Sequence, residues 1–275
     1  MALIELTPVR VVAAKEFRER IRNRWVLASA VVFAAFALSI AYFGAAQQGA
    51  IGFRSIEITI ASLTSLAIYL VPLISLILGF DAIVGERERG SLDLLLSMPM
   101  TRFELLLGKY LGLSMALALS TLGGFGAAGI FLLKDTSEAA PWINYFQFVG
   151  SSILMGMAFL AIAVLLSVVA RDRARASGGA VAVWFFFVLV FDLALLGILV
   201  ASGGQVGGEV FSLLLFANPA DVFRIINVFG MEEVRSFYGL ASVFPPALAR
   251  PWLLFGAMGA WIAAPLLLAT WRFRA

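Results

Sequence analysis

The chain contains no cysteine and no histidine. Disulfides, structural zinc, histidine-ligated haem and every mechanism built on a Cys or His side chain are thereby excluded. The phosphate-binding pattern GxxxxGK[ST] is absent too, because Gly108-Lys109 has Phe103 where the first glycine would stand. If the protein does energised work, another subunit supplies the energy. Charge is scarce, at 13% of residues against 62% hydrophobic, and the mean hydropathy is +0.99. A water-soluble fold of 275 residues could not hide that much apolar surface, so lipid is the solvent for most of the chain.

What the sequence does have is a series of long apolar runs. They predict an all-α membrane protein with six transmembrane helices, at about 25–43, 58–80, 105–132, 145–169, 177–201 and 252–271. Each is close to the roughly twenty residues needed to cross ~30 Å of hydrocarbon. The first run is too long for a signal-peptide core and lacks a clear A-x-A site, so it reads as a retained anchor. The 20 Lys+Arg against 17 Asp+Glu flank the spans instead of forming one nucleic-acid-binding face. Fifteen of the cations share a side with the N-terminus; the other five are Arg54, Lys134, Arg224, Arg235 and Arg250. The positive-inside rule then puts both termini in the cytoplasm.

Two further segments are helical without spanning. Residues 9–24 place Val9, Val12, Ala13, Phe17 and Ile21 on one face, with Arg10, Lys15, Arg18 and Arg22 mostly elsewhere. That pattern suits a helix lying in the headgroup plane and leading into the first span at Trp25. The outer loop of about 202–251 carries a re-entrant segment at about 208–250. Within it, Asn218-Pro219-Ala220-Asp221 has the marks of a helix start: a capping Asn, Pro at the first helical position and an acid in the first turn.

The stretch "GERERGSLDLLLSMPMTRFE" (85–104) is a charged island between two apolar spans. Gly90-Ser91 breaks the chain, and Ser91 is placed to cap a short helix at about 90–98. Leu92, Leu95 and Leu96 share one face of it, Pro99 stops it, and Thr101-x-x-Glu104 forms a capping box for the next span. Apolar knobs rimmed by Glu86, Arg87, Glu88 and Arg89 suit a partner protein's groove. Burial of the leucines in the headgroup region accounts for them equally well on physical grounds.

"GERERGSLDLLLSMPMTRFELLLGKYLG" resembles the ABC-2 class of ABC-transporter permeases, which carry E-x-G-[ST]-L-x-x-L-L-x-x-P-x-x-R after the second span. Glu88, Gly90, Ser91, Leu92, Leu95, Leu96, Pro99 and Arg102 match it without departure. The resemblance implies that 9–24 is an elbow helix and that 90–98 is a coupling helix docking on a cytosolic ATPase, which would hold ATP and Mg. It implies one transmembrane domain over 1–275, paired with a second copy of itself and with two ATPase subunits in the bacterial inner membrane. The chain itself would be non-catalytic and free of cofactors.

Within that class, "LTPVRVVAAKEFRERIRNRW", "GFDAIVGERERGSLDLLLS" and "ANPADVFRI" are similar to the membrane subunits that serve copper-site assembly of nitrous oxide reductase. A periplasmic copper-handling partner of the NosD type is then expected, with Asn218, Pro219, Asp221 and Arg224 of the outer segment as its contacts.

Whether copper passes through the chain is a separate question. Cu(I) prefers sulfur and then imidazole. Only eight methionines are available, and Met155 and Met157, two apart on one helix, point in different directions. The reading is therefore mechanical, with movement of the coupling helices passed to an outer partner. Export of a sulfur-containing or other small solute, ATP-independent secondary transport and a passive scaffold are the rivals. Secondary transport predicts internal repeats and several paired ionisable groups within the bundle, and Asp192 is the one carboxylate deep in a predicted span. Asp192 is open to two readings, a hydrogen-bonded residue at an interface or a gate. Asp81, at the cytoplasmic end of the second span, is in reach of the basic first helix or the interface. Ser120, Gly123, Gly124, Gly126 and Gly129 mark a face for close helix approach, either static or sliding.

Overall fold

The computed structural model describes residues 6–22, 24–43, 56–132, 139–203, 208–228 and 250–274. Every regular element among them is helical. Helix α1 (Leu6–Arg22) is followed by α2 (Trp25–Phe43), bent from it by 62°. Arg24, with φ of 58°, turns the chain between them. Helix α3 (Ile56–Gly79) leads through a tight turn into two short helices, α4 (Val84–Glu88) and α5 (Ser91–Leu96). The two longest helices follow, α6 (Arg102–Leu132) and α7 (Ala139–Val169). Helix α8 (Arg173–Phe185), a π-helical turn (Phe186–Val190) and α9 (Phe191–Ala201) run on as one apolar rod. Helices α10 (Gly208–Phe216) and α11 (Pro219–Val228) precede the last span, α12 (Pro251–Arg274).

Among the described residues five helical stretches are long and apolar enough to cross a membrane, and there are six if the bent α1–α2 pair is one span. The predicted stretch 229–249, including Pro245-Pro246, lies outside the described residues, as do Arg54, Lys134 and Arg235.

The bundle has two buried cores. At one end, Phe33, Phe125, Phe148 and Phe223 form a chain of rings from α2, α6, α7 and α11, with successive centroids 5.0, 5.0 and 6.2 Å apart. At the other, Leu92 of α5 joins Leu105, Leu106 and Leu113 of α6, Leu160 of α7 and Phe273 of α12. In lipid, where exposed leucine costs little, such contacts stabilise through close packing more than through exclusion of water. Small residues permit it. A Cβ on Gly112 would lie 2.6 Å from the carbonyl oxygen of Ala13, so α1 crosses α6 at a separation only glycine allows. Gly124 does the same for α2, where a Cβ would meet that of Phe33 at 2.4 Å. Gly126, by contrast, has open space beside it, so the predicted small-residue face is only partly a packing face.

Candidate functional site at the turn after the second span

The turn after α3 is stitched to the ends of four other helices. Ser167 of α7 accepts hydrogen bonds from the backbone N–H groups of Ile83 and Val84 at 2.9 and 3.0 Å. Arg87 donates to the carbonyls of Ala170 and Val168, satisfying acceptors left over at the end of α7. Asp172 caps α8 by accepting from the N–H of Arg175, while Glu88 accepts from the N–H of Arg173. Arg173 in turn pairs with Asp81 at 2.8 Å, so Asp81 reaches the start of α8 and not the basic first helix.

On the other side of the turn, Lys109 of α6 is almost fully buried, at 3% exposure, between two carboxylates. Its Nζ lies 3.0 Å from Glu16 Oε2 on α1 and 3.2 Å from Glu86 Oε1 on α4. Arg20 also pairs with Glu16 at 3.1 Å, and the Ser91 hydroxyl donates to the Glu86 carboxylate. Burial by itself would raise the Glu16 pKa; Lys109 and Arg20 outweigh it and hold the carboxyl below 4.5. One buried cation thus ties α1, α4 and α6 together.

These placements revise the sequence reading of the island. Gly90, at φ 70°, breaks the helix as expected, but Ser91 does not cap α5, because its hydroxyl is spent on Glu86. Leu92 is buried, and Leu95 and Leu96 pack against the same core. The three leucines face the bundle because it offers them dry neighbours on α6, α7 and α12. Glu86 is likewise internal. The outward surface is Arg87, Glu88, Arg89, Gly90, Asp93, Leu94, Ser97, Met98 and Pro99, with Leu94 at 68% exposure. Sequence reasoning passed over Leu94, although its position two residues after Leu92 puts it on a different face from the buried three. Arg102 donates to the carbonyl of Phe273 at 2.5 Å and lies over its ring, pinning the end of α12. The Thr101–Glu104 capping box forms reciprocally, at 3.2 and 2.7 Å.

A second polar cluster lies at the far end of the bundle. Asn218 begins α11 by accepting from the N–H of Ala220, and its amide donates to Asp221 and to the carbonyl of Phe187 in the π-helical turn. Arg224 pairs with Asp221 and, at 2.9 Å, with Asp192. Gln147 donates to the carbonyl of Ile226, and Asn227 bonds Ser151. Asp192 therefore has a partner within its own chain. Asn218, Pro219 and Asp221, assigned from sequence to a periplasmic partner, are buried inside the bundle, and Arg224 is only partly exposed. Helix α11 must bury Val222, Phe223, Ile225 and Ile226, and its polar residues go in with them as anchors. Burial pushes the Asp221 pKa up to about 7; Arg224 opposes this, Asp192 adds to it and Asn218 opposes it.

The sequence pattern of the ABC-2 family transporter proteins matches residues 10–275. The chain is 47% identical over 271 residues to "Probable ABC transporter permease protein NosY" of Pseudomonas aeruginosa, covering 97% of this chain and 98% of the relative. It is 45% identical over 269 residues to a protein of the same name from Stutzerimonas stutzeri, covering 96% of each.

Proposed function

The chain belongs to the ABC-2 family of transporter proteins, as a non-catalytic membrane permease subunit, and from that premise we propose that it couples cytosolic ATP hydrolysis to copper-centre maturation of nitrous oxide reductase. The observation that carries the copper reading is the near full-length similarity to two proteins named NosY. Two copies pair in the inner membrane with both termini cytoplasmic, and each carries one ATPase subunit.

Segment 84–102 acts as the coupling element. The cross-links from Ser167, Arg87, Glu88, Arg102 and Lys109 support this, since a push on the exposed surface around Leu94 and Met98 reaches α1, α6, α7, α8 and α12 together. The elbow helix is α1.

Transmission is mechanical and ends on a periplasmic copper-handling protein of the NosD type. Met155 and Met258 support this over a methionine path, being fully buried in apolar packing where they fill core volume. With Asn218 and Asp221 inside the bundle, the periplasmic partner meets the outer segment elsewhere.

The test is a tagged pull-down from native membranes in mild detergent, with and without a non-hydrolysable ATP analogue. Recovery of an ATPase and of a periplasmic protein whose association changes with nucleotide is the expected result. Recovery of this chain alone would overturn the coupling reading in favour of a secondary transporter or scaffold.

A further inference from the structure

Helix α1 buries Val9, Val12, Ala13 and Glu16 against α6. At 100° per residue, the opposite face is centred on Arg18 and flanked by Arg10, Lys15 and Arg22, all exposed. Among the described residues Glu19 is the one acid beside them, 3.4 Å from Lys15, so the described face carries four positive charges against one negative. From Arg10 to Arg22 this stripe extends about 18 Å along the helix, too long for one phosphate and of the right scale for several neighbouring headgroups.

Apolar side chains share the stripe. Val11 and Ile21 are both exposed. Immediately beyond, α2 opens with exposed Trp25, an aromatic of the kind that sits at a membrane–water boundary, and continues with exposed Leu27 and Val31. A cationic face interleaved with apolar residues and running into an interfacial Trp fits a lipid surface better than the acidic groove of a soluble protein.

We propose that the outward face of α1 is a binding surface for anionic lipid headgroups, with Arg18 at its centre and Arg22 beside it. The inference rests on the membrane reading of the chain and is independent of ATP coupling or copper. Because α1 is joined to the coupling segment through Glu16–Lys109–Glu86, lipid held there also sets the position of that segment.

The experiment uses the full chain in neutral detergent, titrated with phosphatidylglycerol or phosphatidylcholine and followed by lipid retention in native mass spectrometry. Phosphatidylglycerol should be retained selectively, and raising salt should strip it from the wild-type protein. Arg18→Gln with Arg22→Gln should weaken retention about thirty-fold, at roughly five-fold per lost cation near a charged surface. Arg171→Gln with Arg175→Gln, the same charge removed at the start of α8, should leave retention in place. Equal retention by the α1 variant, or equal loss in both variants, overturns the proposal. So does an α1 variant that loses the ATPase subunit while keeping phosphatidylglycerol, which would assign the face to a protein partner.

Discussion

Lys109 Nζ stands 3.0 Å from Glu16 Oε2 although the two residues are 93 positions apart in sequence. Both are nearly fully buried, and Glu86 closes the cluster from a third helix. An ion cluster with this little solvent around it gains little net stability over a well-packed apolar one, yet removing Lys109 leaves Glu16 to Arg20 alone and Glu86 without a buried cation. It therefore acts more as a register pin than as a source of stability.

Lys109→Met should destabilise the chain by about 3–5 kcal/mol, because Glu16 and Glu86 remain buried and facing one another. Adding Glu16→Gln and Glu86→Gln should recover most of the loss. Thermal unfolding in detergent measures both; a triple variant no better than the single one would mean that Lys109 matters for its shape and not its charge.

Leu94 and Leu95 separate docking from folding. Leu94→Asp changes an exposed side chain, so insertion and melting should be unchanged while stimulation of the ATPase is lost. Leu95→Asp places a charge against the core and should lower the melting temperature first. Glu88→Arg should lose its bond to the α8 N-terminus as well as uncouple. Wild-type ATPase stimulation by Leu94→Asp would end the coupling assignment for this surface.

Asp221 predicts a pH dependence of definite sign. Its pKa is raised from 3.8 to about 7, so the folded state binds this proton more tightly than the unfolded chain does. Its stabilising contribution is full below about pH 4, declines as pH rises, and is gone above about pH 7. The difference in melting temperature between wild type and Asp221→Asn should vary across that window. A constant difference would refute it. Glu16, with a lowered pKa, has the opposite sign and loses its contribution as pH falls below 4.5.

Arg224 should be costlier to remove than Asp192. Arg224→Met leaves Asp221, at 1% exposure, without its cation, whereas Asp192→Asn keeps a hydrogen-bonding group at a partly exposed site. A loss of about 2 kcal/mol or more is expected for the first and about 1 kcal/mol or less for the second. Equal losses would make Asp192 the anchor instead.

The absence of cysteine makes disulfide trapping clean. A Cβ built on Gly123 lies 3.6 Å from that of Ala30, within the range a disulfide spans. Ala30→Cys with Gly123→Cys should cross-link α2 to α6 on mild oxidation. If the small-residue face slides during the cycle, oxidation should stop ATP turnover reversibly; unchanged turnover would make the face static packing.

The sequence by itself determined the membrane environment, a series of long apolar helices, the capping signals at Thr101–Glu104 and Asn218–Asp221, and the family. Each of those is written in local composition or short spacing, where neighbouring residues decide the outcome. Which side of the island faces outward was not legible. Helical spacing grouped Leu92, Leu95 and Leu96, but only the positions of α6, α7 and α12 decided that this face turns inward. The same holds for Asn218 and Asp221, whose cap was readable while their burial depended on α7 and the π-helical turn. Most of all, Lys109 looked like one more flanking cation. Its pairing with Glu16 and Glu86 exists only because the fold brings three distant segments to one dry point, where an unpaired charge could not stand.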